Sequence, residues 1–93
     1  MMMTWDEAKR QENLRKQEID FAGGEAVFDH PVVAWEDDRE GYGEQRINVL
    51  GFLNGDLVHL TDTERDDDLH ASSLRRAEKH EIRRYRAALA KDR

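Results

Sequence analysis

The sequence has no cysteine and a single proline, Pro31. The missing cysteine excludes a disulfide framework, a thiol nucleophile and thiolate metal sites, and it suits a reducing compartment. One proline in 93 residues leaves no room for a proline-rich linker. No apolar run approaches the roughly 20 residues that cross a bilayer. The opening MMMTWDEAKR has no hydrophobic stretch behind a basic start, so no secretory signal is expected. The expectation is a cytoplasmic protein with no membrane association. Apolar residues are also scarce: 38% are hydrophobic and 39% charged, so most side chains must face water. The length and this balance fit one domain over residues 1–93 with a small core.

Positive charge is short overall, and unevenly placed. The net charge is −6, from 21 acidic and 15 basic residues. Residues 1–20 carry −1, residues 21–50 and 51–72 carry −5 each, and residues 73–93 carry +5. An acidic body therefore bears a basic C-terminal segment. The average charge opposes non-specific nucleic-acid binding, which rests on phosphate neutralisation by Lys and Arg. A local basic surface can still act, because charges are screened beyond about 8 Å at physiological salt.

Residues 7–16 hold good helix formers with no Gly or Pro and predict a first helix. Two caps compete for its start. Thr4 with Glu7 spells a capping box, whereas Asp6 would cap a helix that follows a short strand at residues 2–5. A second short helix is expected over residues 22–28, weakened by Gly23 and Gly24 and ended by Pro31. Residues 32–35, Val-Val-Ala-Trp, read as a strand. Residues 46–53 alternate Ile47, Val49 and Gly51 against Asn48, Leu50 and Phe52, and Asn54-Gly55 is a strong hairpin signal. Residues 57–62 return as the partner strand. Arg65-Asp66-Asp67-Asp68 is a second turn, and residues 69–73 a last, half-exposed strand. From Leu74 the period changes to 3.6, with Leu74, Ala77, Glu81, Tyr85 and Ala88 on one face of a helix reaching about Ala90. The expected fold is α+β: two N-terminal helices, a small antiparallel sheet and a C-terminal helix.

The four histidines, His30, His59, His70 and His80, are not spaced for shared metal ligation, and Asp66-Asp67-Asp68 lacks the alternation of a calcium loop. No glycine-rich phosphate loop is present, so neither a metal nor a nucleotide cofactor is expected. His70 followed by Arg75 and Arg76 and preceded by Arg65 has a different use. Cleavage of RNA by its own 2′-hydroxyl needs a base, cations to hold the charged phosphorane, and an acid for the leaving oxygen.

Several fragments resemble one family. They are Trp5-Asp6 with Lys9, Asn13-Leu14-Arg15-Lys16, Ile19-Asp20-Phe21, and Ala26-Val27-Phe28-Asp29 with Pro31. Next come Asp38-Arg39 with Tyr42-Gly43-Glu44 and Arg46, then Leu50-Gly51 and Thr63-Glu64-Arg65. Ser73, Arg75, Ala77, Glu81 and Tyr85 close the set. In this order and spacing they resemble the BrnT toxins of bacterial type II toxin–antitoxin systems. The resemblance implies a RelE-like fold and a ribonuclease that arrests translation. It implies neutralisation by a ribbon-helix-helix antitoxin, BrnA, in a heterotetramer. Where the family carries a basic strand, Arg-Ile-Arg-Ile-Ile-Ser-Ala-Arg, this chain has Asp68-Leu69-His70-Ala71-Ser72-Ser73-Leu74-Arg75.

On that reading His70, Arg75, Arg65 and Tyr85 are the expected catalytic group, and Lys9, Arg46, Arg76 and Lys79 the expected RNA contacts. Bland readings stand beside them: an ion pair for Lys9, a loop pin for Arg46, core positions for Tyr85, Trp5 and Trp35. A second hypothesis reuses the fold as a binding module. Its acidic surface, Asp37, Asp38, Glu40, Glu44, Asp66, Asp67 and Asp68, would mimic nucleic acid and enter the basic cleft of a nucleic-acid enzyme complex.

Overall fold

The computed structural model describes residues 2–37 and 45–91. Five strands form one mixed sheet in the order β1-β5-β4-β3-β2: β1 (Met3–Trp5), β2 (Val33–Asp37), β3 (Arg46–Leu53), β4 (Asp56–Arg65) and β5 (Asp68–Arg76). Helix α1 (Glu7–Gln17) follows β1, and helix α2 (Lys79–Lys91) closes the chain. The α+β class holds, with two corrections to the layout. There is one N-terminal α-helix, and the second is a 3-10 helix, Gly24–Asp29, entered through Gly23 at φ 85°. The sheet is not wholly antiparallel, because β1 runs parallel to β5 along its edge.

The third difference lies at the C-terminus. The helix expected from Leu74 begins at Lys79, and Leu74, Arg75 and Arg76 belong to β5. Leu74 pairs with Leu60 and Arg76 with Val58, and the Ala77 N–H still donates to the Leu57 carbonyl at 2.9 Å. The pairing of Leu74, Arg75 and Arg76 with β4 outweighs the helical period that Leu74 and Ala77 also fit. The β3–β4 hairpin turns at Asn54-Gly55, both at positive φ (52° and 87°), as its sequence signals.

The two faces of the sheet differ. Val49, Gly51 and Leu53 of β3 and Val58 and Leu60 of β4 share one face with Ala71 and Leu74 of β5. Phe21 and Val27 cover it, and Phe21, Val27 and Leu60 are fully buried. Gly51 permits the close approach of the 3-10 helix: a Cβ there would lie 2.8 Å from Val27 Cγ2 and 2.9 Å from Val32 Cγ1. Asp62 shares this face, 1% exposed, with both carboxylate oxygens lacking a hydrogen-bond partner. Burial, and then Glu64, push its pKa up to about 6.

The other face is covered by α2 over only part of its extent. The Tyr85 hydroxyl donates to the Pro31 carbonyl at 2.7 Å and its ring meets Phe52 edge-on. Arg84 lies over the Trp35 ring, 3.8 Å from its centroid. Beyond β1, α1 shields the β5 edge. The Asn13 side-chain amide donates to the Leu74 carbonyl at 2.9 Å and accepts from the Leu74 N–H at 3.1 Å, as a paired strand would.

Candidate functional site

Strand register sets up the site. One cross-strand row runs across the whole sheet: Asp37 of β2, Arg46 of β3, Thr63 of β4, His70 of β5 and Thr4 of β1. It lies on the face shared with α2, at the end α2 leaves uncovered. Here an open cleft of about 700 Å³ is lined by Arg46, Thr63, Arg65 and His70 from the sheet. Lys9 of α1 and Ser72 of β5 complete the wall, and Asp6 lines it too. The Asp6 carboxylate caps α1 by accepting from the Ala8 N–H at 2.8 Å.

Lys9, Arg46, Arg65 and His70 come from four elements and meet in one cleft. Three of them, Lys9, Arg46 and Arg65, are basic side chains. His70 Nδ1 lies 2.9 Å from the Thr4 hydroxyl, and Ser72 Oγ donates to the Thr61 carbonyl at 3.3 Å. A β-bulge at Thr61/Asp62 separates the pairings of Ser73 and Ala71, so Ser72 is the extra residue beside the cleft.

The other expected residues have different surroundings. Arg75 donates to both carboxylate oxygens of Glu81, at 2.8 and 2.9 Å. The same Glu81 accepts the Glu78 N–H at 2.8 Å, as the third residue of a capping box. Burial opposes charge on Glu81, but the Arg75 bonds and the Glu78 N–H outweigh it and hold the carboxyl at about 2. His59 lies under this pair, its Nε2 3.9 Å from Glu81 and its ring 5.8 Å from that of Trp35. Burial, reinforced by Arg75, lowers its pKa. Arg76 reaches Asp56 at 3.7 Å, Lys79 is exposed at the start of α2, and Tyr85 is 4% exposed. None of Arg75, Arg76, Lys79 and Tyr85 lines the cleft.

A protein-family model described as the ribonuclease toxin BrnT of a type II toxin–antitoxin system matches residues 5–81. The chain belongs to the BrnT family. A search of curated proteins found no match. Membership gives the coarse activity, a ribonuclease toxin, and the coarse partner, an antitoxin.

Asp66, Asp67 and Asp68 line a separate depression of about 250 Å³ with Glu64, and Asp37 sits in register with Arg46. Asp38, Glu40 and Glu44 lie outside the described residues. Glu78, His80 and Glu81 place one ligand atom each within 4.8 Å of one another. Both Glu81 oxygens are already engaged by Arg75, so this grouping is an ion-pair cluster and a poor metal site. Among the described residues, no helix is long and apolar enough to cross a membrane.

Sequence reasoning missed Thr4 as a neighbour of His70, and Thr63 and Ser72 as cleft walls. Thr4 was one of two competing caps. The structure gives the cap to Asp6 and leaves the Thr4 hydroxyl to His70. The parallel pairing that joins them spans 66 positions and leaves no local signal.

Proposed function

We propose that the chain is a ribonuclease toxin that holds an RNA phosphodiester in the cleft of Lys9, Arg46, Arg65 and His70. One observation carries the reading: in a chain of net charge −6, these four groups converge from four elements. Lys9, Arg46 and Arg65 neutralise the non-bridging phosphate oxygens and the charge that grows on them. His70 takes the proton from the 2′-hydroxyl as its oxygen bonds to phosphorus. The bond to the leaving 5′ oxygen breaks, and that oxygen takes a proton from water. The products are a 2′,3′-cyclic phosphate and a 5′-hydroxyl. Arg75 and Tyr85 brace the sheet beneath α2 in this scheme.

The biological reading follows from the family. Residues 1–93 form one toxin domain that works in the cytoplasm. RNA cleavage arrests translation, and a ribbon-helix-helix antitoxin neutralises the chain in a heterotetramer. The deciding experiment incubates the purified chain, free of antitoxin, with single-stranded RNA. The expected result is cleavage that leaves cyclic phosphate ends and is abolished in folded His70→Ala and Arg46→Ala variants. RNA left intact at high protein concentration overturns the proposal.

A further inference from the structure

We infer that Thr4 is the positioning residue for His70: its hydroxyl orients the imidazole and, by accepting from Nδ1–H, keeps the tautomer in which Nε2 is the base. This deepens the cleft reading above and rests on it.

Backbone pairing delivers the hydroxyl. In β1, Met3 is 5% exposed in the core, so Thr4, its neighbour, faces the opposite side. The parallel register sets Thr4 against His70, and the Leu69 N–H donates to the Met2 carbonyl at 3.0 Å just before it. Trp5 packs against the core on the other flank. Threonine is stiff at χ1, so once its backbone is pinned its hydroxyl has few places to go. The place it takes is 2.9 Å from Nδ1.

A hydroxyl suits a group that must change protonation state. It can donate to Nδ1 of a neutral ring that carries its proton on Nε2. It can also accept from Nδ1–H, which leaves Nε2 as the base and persists in the imidazolium that forms when Nε2 takes a proton. A carboxylate in this position would only accept and would hold the ring charged. Among the described residues, the charged groups lining the cleft with the ring are Lys9, Arg46 and Arg65, which oppose an imidazolium, and Asp6, which favours it. A Thr4 substitution leaves all four in place, so a change in His70 titration reports the hydroxyl itself.

The test compares Thr4→Val, which keeps the shape, Thr4→Ala, which cannot clash, and Thr4→Ser, which keeps the hydroxyl. Nitrogen-15 spectra of the histidine rings report the His70 tautomer and titration midpoint without any need for activity. Rate–pH profiles on single-stranded RNA report the consequence. In Thr4→Val and Thr4→Ala the tautomer balance and midpoint should change, and kcat should fall by about tenfold or more. KM should stay within about twofold, since the cations remain. Thr4→Ser should restore both spectrum and profile. An unchanged tautomer and midpoint in both Thr4→Val and Thr4→Ala overturns the inference, whatever the rates. A wild-type chain that leaves RNA intact overturns the ribonuclease reading, and the ring spectra still decide whether Thr4 governs His70.

Discussion

Glu81 grips the Arg75 guanidinium with both carboxylate oxygens, across the gap between the first turn of α2 and the end of β5. The pair joins the last helix to the sheet and leaves neither partner for substrate. Glu81→Gln keeps the shape but removes the charge, leaving Arg75 uncompensated. Unfolding in urea should show a loss of about 3 kcal/mol. The sign with pH follows from the lowered carboxyl. The pair's contribution is complete above about 4.5, the ordinary Glu value, and disappears as pH falls toward about 2. The deficit of Glu81→Gln should therefore shrink in acid.

Asp62 behaves in the opposite sense. Its carboxyl is buried without a partner, and its pKa is raised from 3.8 to about 6. The folded state prefers the protonated form. Below pH 3.8 there is no penalty; it grows between 3.8 and about 6 and is complete at neutral pH. At 1.36 kcal/mol per pH unit, the full penalty is about 3 kcal/mol. Asp62→Asn should raise stability at pH 7 by up to that amount, and the gain should vanish near pH 4. Urea titrations across this range would expose a flat difference if the carboxylate is instead satisfied when charged.

The cleft makes a separate prediction about salt. Each phosphate contact contributes about 0.7 to the slope of log affinity against log salt for a single strand. Arg46→Ala and Lys9→Ala should each weaken RNA binding and flatten that slope by about 0.7. Arg76→Ala, outside the cleft and beside Asp56, should leave the slope unchanged. Fluorescence anisotropy with a non-cleavable strand, at several salt concentrations, reads both quantities.

The difference between Arg46 and Arg75 shows what the sequence could and could not convey. Strand β3 and its hairpin are legible because alternation and Asn54-Gly55 act within a few residues. The α2 boundary is not, because Leu74 and Ala77 fit a helical period as well as they fit β5. The ion pair of Arg75 left a trace: Glu81 falls among Leu74, Ala77, Tyr85 and Ala88 on the otherwise apolar face. A carboxylate on such a face needs a buried cation, and Arg75 is within reach. The sequence singled out Lys9, Arg46, Arg65 and His70 along with four residues that lie elsewhere. Strand register separates Arg46, Arg65 and His70 from Arg75 and Arg76, and the packing of α1 and α2 separates Lys9 from Lys79 and Tyr85; neither is a local property of the sequence.

Packing at Gly51 gives a steric prediction. Gly51→Ala would place its methyl 2.8 and 2.9 Å from the side chains of Val27 and Val32. The 3-10 helix must move outward to admit it. A loss of about 1–3 kcal/mol is expected. Gly51→Ala with Val27→Ala should recover part of it, which a double-mutant cycle by urea unfolding would measure.

Asn13 substitutes for a missing strand. Its carboxamide satisfies the Leu74 N–H and C=O in the way an edge neighbour would, and also donates to the Ile19 carbonyl at 2.9 Å. The contact ties α1, with Lys9 on it, to β5, which carries His70. Asn13→Ala strands two buried backbone groups and should cost about 2–4 kcal/mol. Asn13→Asp can accept from Leu74 N–H but cannot donate, and its charge would face two carbonyl oxygens, so it should cost at least as much. Hydrogen exchange at Leu74 separates the two effects. In Asn13→Ala this amide should lose protection relative to Leu60, whereas Asn13→Asp should retain more of the local protection despite lower global stability. Equal protection of Leu74 in wild type and Asn13→Ala would mean that β5 holds its edge without the side chain.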